Sequence, residues 1–158
     1  MSYSSFLNLG AQVAVSSDHA GYELKSVLIK DLEDIGFEAL DLGTYNESSV
    51  DYPDFAIKLA NEIGSGKVQG GVIVCGTGIG VSITANREPS VRAALVHNEL
   101  TAMMARAHNN ANVMAIGARV VNQETARRCL KTFFSTSFEG GRHIKRVEKL
   151  TSYSGRSK

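Results

Sequence analysis

The run Gly71–Gly80, GVIVCGTGIG, constrains this chain more than any other stretch. Its apolar start, "VIVC", suits a strand buried on both faces. It passes without a break into three alternating glycines, a pattern that favours close backbone approach to a ligand. A helix starting next leaves its first N–H groups unpaired and its positive end exposed, which together cradle an anion. Cys75 stands at the junction, where a thiolate is favoured. A cysteine ending an apolar strand also serves as a small buried hydrophobe. The residues alone leave both roles open.

Similar apolar runs recur along the chain. Strands are expected at Gln12–Ser16, Glu38–Asp41, Gly71–Cys75, Val91–Val96 and Val113–Ile116. Helical patterns alternate with them. Gly21–Leu32 places Leu24, Val27, Leu28 and Leu32 on one face and stops at Gly36. Pro53–Ile63 opens on proline and ends at Gly64. Val81–Asn86, Glu99–Ala107, Gln123–Phe134 and Arg142–Leu150 follow. This alternation predicts an α/β fold, a three-layer α/β/α sandwich on a parallel sheet. No repeat or linker divides it, so residues 1–158 are expected to form a single domain. Residues 1–10 read as an N-terminal extension and 151–158 as a polar tail.

A net charge of +1 gives no reason to expect nucleic acid or a membrane surface as partner. Cys75 and Cys129 match no zinc spacing, and a disulfide between them is not expected. No apolar run is long enough for a bilayer, and the start "MSYSSFLNLGAQ" is not a secretory signal. A cytoplasmic location is the expectation.

In an open parallel sheet, ligands bind beyond the carboxyl ends of the strands. The residues expected there include Asp18-His19, Cys75 to Gly78, His97-Asn98 and Arg119. Asp18 is a good helix N-cap, and Asp18 with His19 is equally a proton-transfer pair. A dinucleotide site is opposed by the glycine pattern, because Val81 replaces the third glycine of that fingerprint and the turn follows the third strand. His108-Asn109 lies where a helix gives way to a strand, so it enters the sheet from the amino end. A site within one chain could use it only if the loop folds back; otherwise a partner subunit must deliver it. Arg142 and Arg146 share a helical face, which is ordinary for a solvated surface but also suits a phosphate dianion.

Taken in order, "SSDHAGYELK", "DYPDFA", "CGTGIGVSITANR", "RAHNNANVMAIGARV" and "FEGGRHIKRVEK" resemble the type B ribose-5-phosphate isomerase family, which also includes galactose-6-phosphate isomerase subunits. The resemblance implies a Rossmann-like sandwich with a five-stranded parallel sheet of order 2-1-3-5-4. It implies an aldose-ketose isomerase that interconverts ribose 5-phosphate and ribulose 5-phosphate through an enediolate, with no metal and no organic cofactor. Cys75 would be the base, as in the members that carry this cysteine rather than a glutamate elsewhere. The backbone of Gly76, Thr77, Gly78, Ile79 and Gly80 would form the anion hole, with Thr77 also bonding substrate. His108 would be the acid/base for ring opening, with Asp18 nearby and Asn109 on a sugar hydroxyl. His19, Arg119, Arg142 and Arg146 would hold the phosphate, and Tyr52 would line the site. The resemblance further implies a homodimer or dimer of dimers, with the site at the subunit interface and the C-terminal helix extending to the partner. A six-carbon phosphosugar isomerase and a non-catalytic phosphosugar-binding module are the alternatives. The presence of Cys75, Asp18, His19, His108 and the arginines on one chain favours a self-sufficient homo-oligomer.

Overall fold

Three strands with continuous apolar runs form the middle of the molecule, and their alternation builds two cores. The computed structural model describes residues 7–153. In β1 (Gln12–Ser17), β3 (Gly70–Cys75) and β5 (Val113–Gly117), successive side chains point to opposite faces. Val13, Val15, Val72, Val74, Met114 and Ile116 enter one core, and Ala14, Ile73, Cys75, Val113 and Ala115 enter the other. Full burial of each large side chain contributes about 1.5–3 kcal/mol. With β2 (Glu38–Asp41) and β4 (Ala93–Leu95) at the edges, the sheet is parallel throughout, in the order β2-β1-β3-β5-β4.

Helices cover both faces. On one lie α1 (Tyr22–Asp34), α4 (Glu99–Asn109) and α5 (Gln123–Ser135); on the other lie α2 (Tyr52–Gly64) and α3 (Ile79–Ala85). The Rossmann-like three-layer expectation and its strand order therefore hold. Cys75 and Cys129 are both free, and they occupy the two cores on opposite sides of the sheet. No helix among the described residues is long and apolar enough to cross a membrane.

Several boundaries differ from expectation. β4 has three residues rather than six. The Val91 N–H donates to Glu88 O and the Arg92 N–H to Asn112 Oδ1, so neither is available to the ladder. Asp18 does not cap α1. The N-cap is Gly21, and Asp18 Oδ1 instead accepts the Gly21 N–H at 3.0 Å. Within the N-terminal extension, Leu7 is buried in the α1/α5 core, and residues 1–6 lie outside the described residues. The last helix begins with a one-turn 3₁₀ segment, Gly141–His143, and continues as α6 (Ile144–Tyr153). It takes in the first three residues of the expected tail; residues 154–158 are outside the described residues. α6 buries none of its residues, and leaves Ile144 and Leu150 exposed.

Candidate active site

At the carboxyl end of β3, backbone crowding fixes the glycine turn. Gly78 has φ of 76°, the left-handed region, and a Cβ there would lie 2.5 Å from Leu95 Cδ1 and 2.9 Å from the Ile116 carbonyl carbon. That conformation points the Gly78 N–H at Cys75 Sγ, 3.1 Å away. Cys75 is itself 5% exposed, so its sulfur receives a backbone donor in a setting that excludes most water. Thr77 Oγ1 accepts the Ile79 N–H at 3.3 Å, which tightens the same turn.

Neighbouring strands bring side chains to this edge. The Asp18 N–H donates to Val74 O at 3.2 Å, joining the end of β1 to the end of β3. Gly21 makes the approach possible, since a Cβ there would sit 2.8 Å from the Val74 carbonyl. Asp18 is nearly buried at 7% exposure. From β5, Arg119 returns over the turn. Its N–H donates to Gly76 O at 2.9 Å, and its guanidinium lies within 3.2 Å of where a Gly76 Cβ would stand. From α2, the Tyr52 ring packs on Gly80, where a Cβ would come within 2.6 Å.

His19 is oriented by the loop after β2. Its Nδ1 accepts the Val50 N–H at 3.2 Å, so the neutral ring carries its proton on Nε2. That loop is anchored at its start. Lys25, 1% exposed, pairs with Asp41, whose Oδ1 also accepts the Gly43 N–H at 2.9 Å. The Lys25 ammonium lies 5.3 Å from the centre of the Tyr45 ring. Spacing along the chain does not announce this pair; only the fold places α1 beside the end of β2.

A second cluster lies at the other end of the sheet. His108 closes α4, ahead of the amino end of β5. Its ring stacks on His143, with centroids 4.3 Å apart and planes at 10°. Glu139 Oε2 faces both rings, 3.6 Å from His108 Nε2 and 3.7 Å from His143 Nε2. Burial lowers the His143 pKa from its ordinary value; positive charge at His108, Arg142 and Arg146 acts the same way, against Glu139. The three ligand-type atoms of His108, Glu139 and His143 lie within 4.8 Å of one another. Arg142 Nε is nevertheless 3.4 Å from His143 Nε2, which sets a fixed positive charge against any cation there.

The residues singled out from the sequence thus fall into two groups. Asp18, His19, Tyr52, Cys75, Gly76, Thr77, Gly78, Ile79, Gly80 and Arg119 meet at the carboxyl edge. His108, Asn109, Arg142 and Arg146 belong to the amino-edge group. Beyond the end of β4, Glu99 opens α4 behind a capping box made by Asn98 and Thr101.

A family model described as Ribose/Galactose Isomerase matches residues 13–150. The chain belongs to that family. It is 38% identical to ribose-5-phosphate isomerase B of Escherichia coli, over 89% of this chain and 95% of that protein. Among solved structures, ribose-5-phosphate isomerase B of Clostridium thermocellum superposes with a TM-score of 0.88 at 43% identity, covering 90% of this chain and 96% of that one. The type B ribose 5-phosphate isomerase of Trypanosoma brucei gives 0.89 at 36% identity, covering 92% and 99%. This chain of the ribose/galactose isomerase family is therefore an isomerase acting on phosphosugars.

Proposed function

We propose that the chain interconverts ribose 5-phosphate and ribulose 5-phosphate, with Cys75 as the base. The observation that carries this reading is the Gly78 N–H held 3.1 Å from Cys75 Sγ, because it fixes the sulfur at the glycine turn, where a base and an anion cradle must meet. In the aldose-to-ketose direction, the thiolate takes the proton from C2 and returns it to C1, while a hydroxyl proton passes from O2 to O1. The intermediate enediolate carries its charge on oxygen, beside the backbone N–H groups of Gly76 to Gly80. Such donors contribute on the order of several kcal/mol to a transition state in a water-poor site. Thr77 bonds the substrate and Tyr52 walls the site.

The furanose must open first. His108 supplies the acid/base for that step, with Asp18 beside the sugar and Asn109 on a hydroxyl. His19, Arg119, Arg142 and Arg146 hold the phosphate. Within one chain, β5 alone separates the two groups by about 13 Å, four rises of about 3.3 Å, further than one phosphopentose reaches. A second copy of the chain resolves this by presenting its own His108 end to the first copy's Cys75 edge. α6, with its exposed apolar side chains, is suited to pack on that partner.

The test is a comparison of kcat/KM for ribose 5-phosphate against allose 6-phosphate and galactose 6-phosphate. A preference for the pentose is expected. A clear preference for either hexose would replace the substrate while leaving the enediolate chemistry, and no turnover of any of them would leave only a binding module.

A further inference from the structure

Glu139 and His143 have no step in the reaction above, yet they enclose the imidazole that opens the ring. The turn between them is made by glycine alone. Gly140 and Gly141 have φ of 67° and 52°, a pair of left-handed residues that folds the chain back within four positions. Glu139 before the turn and His143 after it therefore face the same ring. The backbone is pinned there too, since the Glu139 N–H donates to Ala107 O at 3.0 Å, one residue before His108.

The two contacts are different in kind. His143 is buried, at 5% exposure, and stacks nearly parallel on His108, which restricts rotation of that ring. Arg142 Nε donates to His143 Nε2, so the neutral His143 carries its proton on Nδ1 and offers Glu139 no N–H from that side. The carboxylate is then left to His108 Nε2, at 3.6 Å. The charged groups around this pair are cationic. Arg142 and Arg146 lie on the same C-terminal segment and act on His143. Against these cations, Glu139 is the anionic group that faces His108.

We propose that Glu139 and His143 are positioning residues for His108: the stacked ring fixes its plane and the carboxylate sets the direction of its Nε2 for ring opening. This rests on the role proposed for His108. The experiment measures kcat and KM for ribose 5-phosphate across about pH 5–9 for Glu139→Gln, Glu139→Asp and His108→Asn, and for Glu139→Gln combined with His108→Asn. Glu139→Gln is expected to lower kcat about tenfold with a smaller change in KM. Glu139→Asp recovers part of the rate, which a loss of folding would not allow. In the His108→Asn background, Glu139→Gln adds no further loss, because it acts through that ring. An unchanged rate and profile in Glu139→Gln, with His108→Asn impaired, would overturn the positioning role alone. An equal loss in both backgrounds would overturn it as well. A wild-type rate in His108→Asn would refute the role of His108 itself, and the positioning role with it.

Discussion

The two edges of the sheet carry chemistry in opposite ways. At the carboxyl edge, backbone does the work. Gly21, Gly78 and Gly117 allow main chain to approach main chain, and the Gly78 N–H meets the Cys75 sulfur in a buried corner. At the amino edge, side chains do it. His108, Glu139 and His143 touch one another at the end of a helix, and Glu139 is 57% exposed. The first edge is built around the buried Cys75, Gly76 and Gly78. The second is open and ends in α6, a helix with nothing buried. The contrast teaches that an oxyanion cradle can be fixed within one subunit, whereas acid and phosphate-binding side chains can be presented to a neighbour.

Three substitutions sharpen that contrast, in falling order of effect. Cys75→Ala is expected to cost about 10³-fold in kcat with little change in KM, since a positioned base contributes about 10²–10⁴-fold. Steady-state kinetics with ribose 5-phosphate checks this, and a near-normal kcat would remove the thiol from the reaction. Arg142→Ala, at the other edge, should raise KM about tenfold while leaving kcat closer to wild type, because it removes one charged partner of the phosphate. An unaltered KM would make that face mere solvated surface.

The smallest effect is on stability. The folded-state pKa of His143 lies below its ordinary value of 6.5, so the unfolded chain binds a proton that the folded chain does not. The contribution is therefore complete above about 6.5 and is lost as pH falls through the lowered value. Replacing His143 by Gln should flatten the acid side of a plot of Tm against pH. An unchanged slope would show that the ring titrates alike in both states.

Much of this was legible in the sequence where the physics is local. β1, β3 and β5 show themselves as uninterrupted apolar runs because both of their faces are buried. The glycine turn was equally plain, since its residue types answer to backbone geometry. β4 was overextended because apolarity at Val91 does not reveal that its N–H is used by Glu88. Of the two roles open to Asp18, the N-cap is not the one taken, because its carboxylate accepts the Gly21 N–H before α1 begins. Glu139 and His143 carry no signal of their own role within "EGGRHIKR", where the arginines stand out. Their contact with His108 depends on two left-handed glycines and on α4 ending beside them, and neither is written in the spacing.

The central claim is that Cys75 of one subunit works with His108 of another. It is tested most directly by mixing Cys75→Ala and His108→Asn chains, each far below wild-type activity alone, through joint unfolding and refolding. If the edges combine across subunits, half of the random dimers hold one intact site of two, and activity returns to about one quarter of wild type. If no activity returns although mixed dimers form, the two edges act within a single chain and the account is wrong.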